Sequence, residues 1–98
     1  MIKILYVGRH AEITETVLRL INARENWLGL GAATDFDAVS LFAQNDFDIV
    51  LLGCGLPDES ERDLSGIFRA QKPEIIIIPH YGGGSGLLAN EILSALSQ

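Results

Sequence analysis

The chain has one cysteine, one methionine and one tryptophan among its 98 residues. A single cysteine excludes an internal disulfide framework and suits a reducing compartment, so a cytoplasmic protein is expected. Basic residues are scarce. Seven Lys and Arg stand against thirteen Asp and Glu, for a formal net charge of −6. Nucleic-acid phosphates and anionic membrane surfaces both require a basic patch, so neither is an expected partner. No apolar run approaches the ~20 residues of a membrane-spanning helix. The start, Met1-Ile2-Lys3-Ile4, enters a strand-like run directly, without the layout of a signal peptide. Apolar residues are plentiful: 48% hydrophobic against 20% charged fits a folded globular class and argues against disorder. The length suits a single domain over residues 1–98.

Apolar runs of strand length alternate with stretches of helical spacing. Ile2 to Val7 is β-prone and stops at Gly8. From Ala11 to Arg24, Ile13, Val17, Leu20 and Ile21 share one helical face, with Glu12 and Glu15 early and Arg19 and Arg24 late. Trp27 to Ala33 is a weaker strand, diluted by Gly29 and Gly31. Thr34-Asp35 signals the start of a helix through Phe36, Val39, Leu41, Phe42 and Ala43, with Asp35 and Asp37 as capping residues. Asp48 to Leu52 reads as a central strand covered on both faces. Glu61 to Gln71 follows as a helix with Leu64, Ile67 and Phe68 on one side, ended by Pro73. Ile75-Ile76-Ile77-Ile78 is a further strand, and Leu88, Ala89, Ile92, Leu93 and Leu96 mark a last amphipathic helix. The alternation predicts an α/β fold: an open parallel sheet of four strands with helices on both faces.

In such sheets the working crevice lies beyond the carboxyl ends of the strands. Gly8-Arg9-His10, Thr34-Asp35, Gly53-Cys54-Gly55 and Pro79 to Ser85 converge there. The stretch Gly31 to Val39, followed by Asn45-Asp46-Phe47-Asp48-Ile49-Val50-Leu51-Leu52-Gly53-Cys54-Gly55-Leu56-Pro57-Asp58, resembles the receiver domain of bacterial two-component response regulators. The likeness extends from Ile2 to roughly Ile78.

The resemblance implies a flavodoxin-like, phosphoryl-accepting fold, with the four strands in the order 2-1-3-4. Receivers hold Mg²⁺ with two acids after the first strand and accept phosphate on an Asp ending the third. A Thr or Ser ends the fourth strand and a Lys the fifth. Hard carboxylate oxygens suit Mg²⁺, and a transferring phosphoryl group needs cations around it. Here the acid pair falls on Gly8 and Arg9, the acceptor on Gly53, and the hydroxyl on Pro79, give or take one residue. The Lys has no counterpart. Relative to the family the chain is short by about one strand–helix unit. The implied reading is a phosphorylation-incompetent, non-enzymatic signalling domain that binds protein partners through Arg9, His10, Cys54, His80 and Tyr81 and the glycine-rich loop.

Three other patterns bear on chemistry. Gly82-Gly83-Gly84-Ser85-Gly86 before a helix suits an anion or nucleotide phosphate, the alternative function, but it lacks the Lys of a P-loop. His10, His80 and Cys54 are zinc-type ligands with only Asp35 as a fourth, so no metal and no cofactor is expected. Finally, Ile75, Ile76, Ile77 and Ile78 form a strand with no following strand to flank it. Either the last helix covers this edge or another chain pairs with it, and the second possibility motivates an expected homodimer through the fourth strand and last helix.

Overall fold

The computed structural model describes residues 1–53, 55–81 and 94. The elements are β1 (Ile2–Val7), α1 (Ala11–Asn22), β2 (Trp27–Ala32), α2 (Asp35–Gln44), β3 (Ile49–Gly53), α3 (Asp58–Gln71) and β4 (Ile76–Tyr81). The four strands form one parallel sheet, as the alternation predicts, in the order β2-β1-β3-β4 that the resemblance implies.

Each face of the sheet has its own core. Leu5, Val7, Val50 and Leu52 point to the side covered by Ala38 and Phe42 of α2 and Leu64 and Phe68 of α3. Ile4, Tyr6, Ile49 and Leu51 point to the other side, against Val17 and Ile21 of α1. All five residues of β3 are buried, which explains its unbroken apolar run. Phe42 and Phe68 stack with ring centroids 4.4 Å apart and seal α2 to α3.

The glycines that dilute β2 have a packing reason. A Cβ on Gly29 would stand 2.8 Å from Ile21 Cγ2, and one on Gly31 would stand 2.8 Å from Leu18 Cδ1. Their absence lets α1 close onto this edge strand. The same edge is blunted by α1 itself. Asn22 accepts a 2.9 Å hydrogen bond from the Gly29 amide and donates a 3.3 Å bond to the Gly29 carbonyl, in place of a neighbouring strand.

Several boundaries and faces differ from expectation. Thr34, not Asp35 or Asp37, caps α2: its hydroxyl accepts from the Asp37 amide at 3.1 Å. That leaves Asp35 in the first turn with its carboxylate available. Phe36 is 78% exposed, because it follows the cap on the outer side of α2. Ile67 is also exposed, on the flank of α3 away from Leu64 and Phe68. Helix α3 begins at Asp58, directly after Pro57, with Asp58, Glu59 and Glu61 complementing its positive end. Helix α1 stops at Asn22, and Arg24 lies beyond it with its guanidinium 4.6 Å from the Trp27 ring.

The largest difference is in β4. Ile75 precedes the strand and is buried in the α2–α3 core, whereas the strand runs on past Ile78 to Tyr81. Leu51 pairs with Ile78 and Gly53 with Tyr81, so Leu52 alone faces both Pro79 and His80. Proline has no N–H to donate, and a bulge absorbs the missing ladder bond while the strand continues.

Candidate functional site

The carboxyl ends of β1 and β3 bring Gly8 and Gly53 to the same place. Tyr6 pairs with Leu51, so Gly8 and Gly53 each follow one pleat later on the same face. Tyr6 lies between them and is almost fully buried. A Cβ on Gly8 would stand 2.6 Å from Tyr6 Cε2, and a Cβ on Gly53 would stand 2.7 Å from Tyr6 Oη and 3.0 Å from the Val7 carbonyl oxygen. Real Cβ atoms do not approach so closely. The phenol ring therefore fills the ground on which crevice side chains at 8 and 53 would stand.

Arg9 is tied down beside this plug. Its Nη1 donates to the Ala33 carbonyl at 2.7 Å and its Nη2 to Asp35 Oδ1 at 2.6 Å. The pair is partly exposed, with side-chain accessibilities of 31% and 41%. The Arg9 hydrogen bond holds the Asp35 carboxyl below the usual carboxylate range, against a smaller opposing effect of burial. A hydrogen bond from Ser60, in the first turn of α3, lowers it further. The loops after β1 and β2 are thus joined across the carboxyl end of the sheet. His10 caps α1 without a side-chain cap bond, and its ring packs against Gly55, where a Cβ would stand 3.3 Å from Cδ2.

The Mg²⁺ site that the resemblance implies does not fit these residues. The two acid positions hold Gly8 and a clasped arginine, and the Asp35 carboxylate is engaged by that arginine. Among the described residues no three His, Cys, Asp or Glu side chains gather closely enough to share a metal. A hollow of about 510 Å³ lies at the opposite end of the sheet, between the ends of α2 and α3. Its Lys72 ammonium is already held by Asp46 Oδ1 and the Phe47 carbonyl, both at 2.7 Å.

Of the residues singled out in the sequence, Gly8, Arg9, His10 and Gly53 converge at the crevice. Pro79, His80 and Tyr81 contribute backbone to the end of β4 and not to a loop. Cys54, Gly82, Gly83, Gly84 and Ser85 lie outside the described residues, as does the last helix except Ser94. Tyr6 and Ser60 were missed. Tyr6 reads as one more strand residue, and its signal is faint: an aromatic two positions before a strand-ending glycine.

Neither a family model nor a curated protein matches the sequence. Solved structures do. The chain is similar to a response regulator receiver domain protein from Clostridium thermocellum, with a TM-score of 0.72 and 22% identity over 99% of this chain and 76% of that one. The fold is receiver-like. It is also similar to a chain assigned to pilus assembly in Burkholderia thailandensis, with a TM-score of 0.69 and 15% identity over the whole of both chains. A third similar structure is the lactose-specific IIB component domain of the phosphoenolpyruvate:carbohydrate phosphotransferase system of Streptococcus pneumoniae, with a TM-score of 0.64 and 16% identity over 98% of this chain and 91% of that one. At these identities the likeness establishes the receiver-like architecture and leaves chemistry to the residues.

Proposed function

We propose that this chain is a pseudo-receiver: a non-catalytic, cytoplasmic module that binds protein partners in a two-component-type signalling system and takes no phosphoryl group. The observation that carries this reading is the Tyr6 ring packed against Gly8 and Gly53. An acyl phosphate needs a carboxylate at position 53, and the sequence supplies none there. The cation required beside a transferring phosphoryl group has no acid pair to hold it, and Arg9 spends its charge on Asp35.

Partner contact in this proposal uses the loops at the carboxyl end of the sheet and the β4 edge. Nucleic acid and membranes are not partners, in keeping with the net charge of −6. A second copy of the chain is one partner, pairing through the isoleucines of β4. The similarity in fold and length to a chain assigned to pilus assembly widens the candidate partners to assembly machinery. The test is intact-mass spectrometry after incubation with acetyl phosphate and Mg²⁺. No phosphoryl adduct is expected, and an adduct that hydroxylamine removes would overturn the proposal.

A further inference from the structure

The geometry points to Tyr6 as a fixed plug that confines positions 8 and 53 to glycine and holds the carboxyl end of the sheet in one conformation. The inference rests on the pseudo-receiver reading for its functional meaning only; its physical content is independent. Tyr6 sits on β1, the strand with partners on both sides, and its backbone is registered against Gly31 and Leu51. Residues on either side of it, Leu5 and Val7, are wholly buried in the opposite core. The strand therefore has no freedom to carry the ring away, and Val17, Ile21 and Leu51 hold it from the α1 side.

The contacts differ between the two glycines, which makes the plug testable atom by atom. At position 53 the closest side-chain atom to an added Cβ is the phenolic oxygen, at 2.7 Å, with Cζ further off at 3.2 Å. At position 8 it is the ring carbon Cε2, at 2.6 Å, and Cζ and Oη both stand at 3.0 Å. Removing only the hydroxyl takes away the shortest contact at position 53, leaving the Val7 carbonyl oxygen at 3.0 Å and Cζ at 3.2 Å, and leaves position 8 obstructed. Removing the ring relieves both. It also follows that Gly53→Asp does not create a phosphoryl acceptor, because the new side chain has no ground to stand on while Tyr6 is in place. The crevice is closed by packing as well as by the loss of acids, and the partner-binding surface built on it has a single state.

The experiment is a set of double-mutant cycles read by thermal unfolding. Gly53→Ala is expected to lower Tm by on the order of 5–10 °C, the scale of overpacking by one methyl in a domain of this size. In a Tyr6→Phe background part of that loss is expected to disappear, the part due to the phenolic oxygen, while the Val7 carbonyl contact remains. Gly8→Ala is expected to cost as much with Phe at position 6 as with Tyr, and to become tolerable only with Tyr6→Leu. Should Gly53→Ala fail to fold, the same cycle is read from whether Tyr6→Phe restores folding. Additive effects at both positions, or a Gly53→Ala that is not rescued, would overturn the plug. Loss of the plug would remove the packing support for the pseudo-receiver reading but not the missing carboxylate at position 53, and the acetyl phosphate mass measurement decides that reading separately.

Discussion

Arg9 and Asp35 meet across the carboxyl end of the sheet at 2.6 Å, and the same guanidinium reaches the Ala33 carbonyl. The clasp spans the gap between the loops after β1 and β2.

Acid is expected to release this clasp. The folded Asp35 carboxyl titrates below its unfolded value, because Arg9 and Ser60 favour the charged form. A depressed folded value contributes stability that is fully present above the unfolded carboxylate range and is lost as pH falls through the folded one. Both partners are partly exposed, so the contribution is under about 1 kcal/mol. Thermal unfolding of the native protein and of Asp35→Asn from pH 7 to pH 3 checks this. The gap between the two is expected to shrink towards pH 3; a gap that widens in acid contradicts it.

The β2 edge depends on one side chain. Asn22→Ala removes both hydrogen bonds to Gly29. A cost of about 1–2 kcal/mol is expected, since two partly buried peptide groups lose their partner. Hydrogen exchange should accelerate at the Gly29 amide more than at Leu5 or Val50, which lie inside the sheet.

Glycine substitutions should split by environment. Gly31→Ala drives a methyl into Leu18 and Thr14, and a loss of roughly 1–3 kcal/mol is expected. Gly66 sits in α3 with nothing within 4 Å of its Cβ position. Gly66→Ala is therefore expected to stabilise by up to about 1 kcal/mol, the difference in helix propensity. Denaturant titration of both variants decides the point, and equal signs would contradict the packing account.

Self-association is expected at the other edge. Ile76, Ile77 and Ile78 are only partly buried, whereas Ile49 to Leu52 on the neighbouring strand are fully buried. Sedimentation at rising concentration should reveal a dimer, weakened by Ile77→Lys. A monomer at the highest concentration reached would remove β4 as a self-association edge.

The parallel α/β alternation and most apolar strand and helix positions were legible from short apolar runs alternating with helical spacing, and the strand order followed from the receiver resemblance. The details that failed were set by contacts distant in sequence or by single backbone groups. Pro79 looks like a strand end, yet a bulge carries β4 on to Tyr81. Phe36 fits the apolar stripe of a helix but lies outside it, because the cap is Thr34. The vacancy of the acceptor position was readable from Gly53 alone. The reason a side chain has no room there was not, since it depends on the register of Tyr6 against Leu51 across two strands 45 residues apart in the chain.

The central claim is that the crevice takes no phosphoryl group. The most direct measurement is a two-dimensional amide NMR spectrum recorded before and after adding beryllofluoride with Mg²⁺. The account predicts an unchanged spectrum at Gly8, Arg9, Asp35 and Gly53. Saturable shifts clustered on those residues would contradict it.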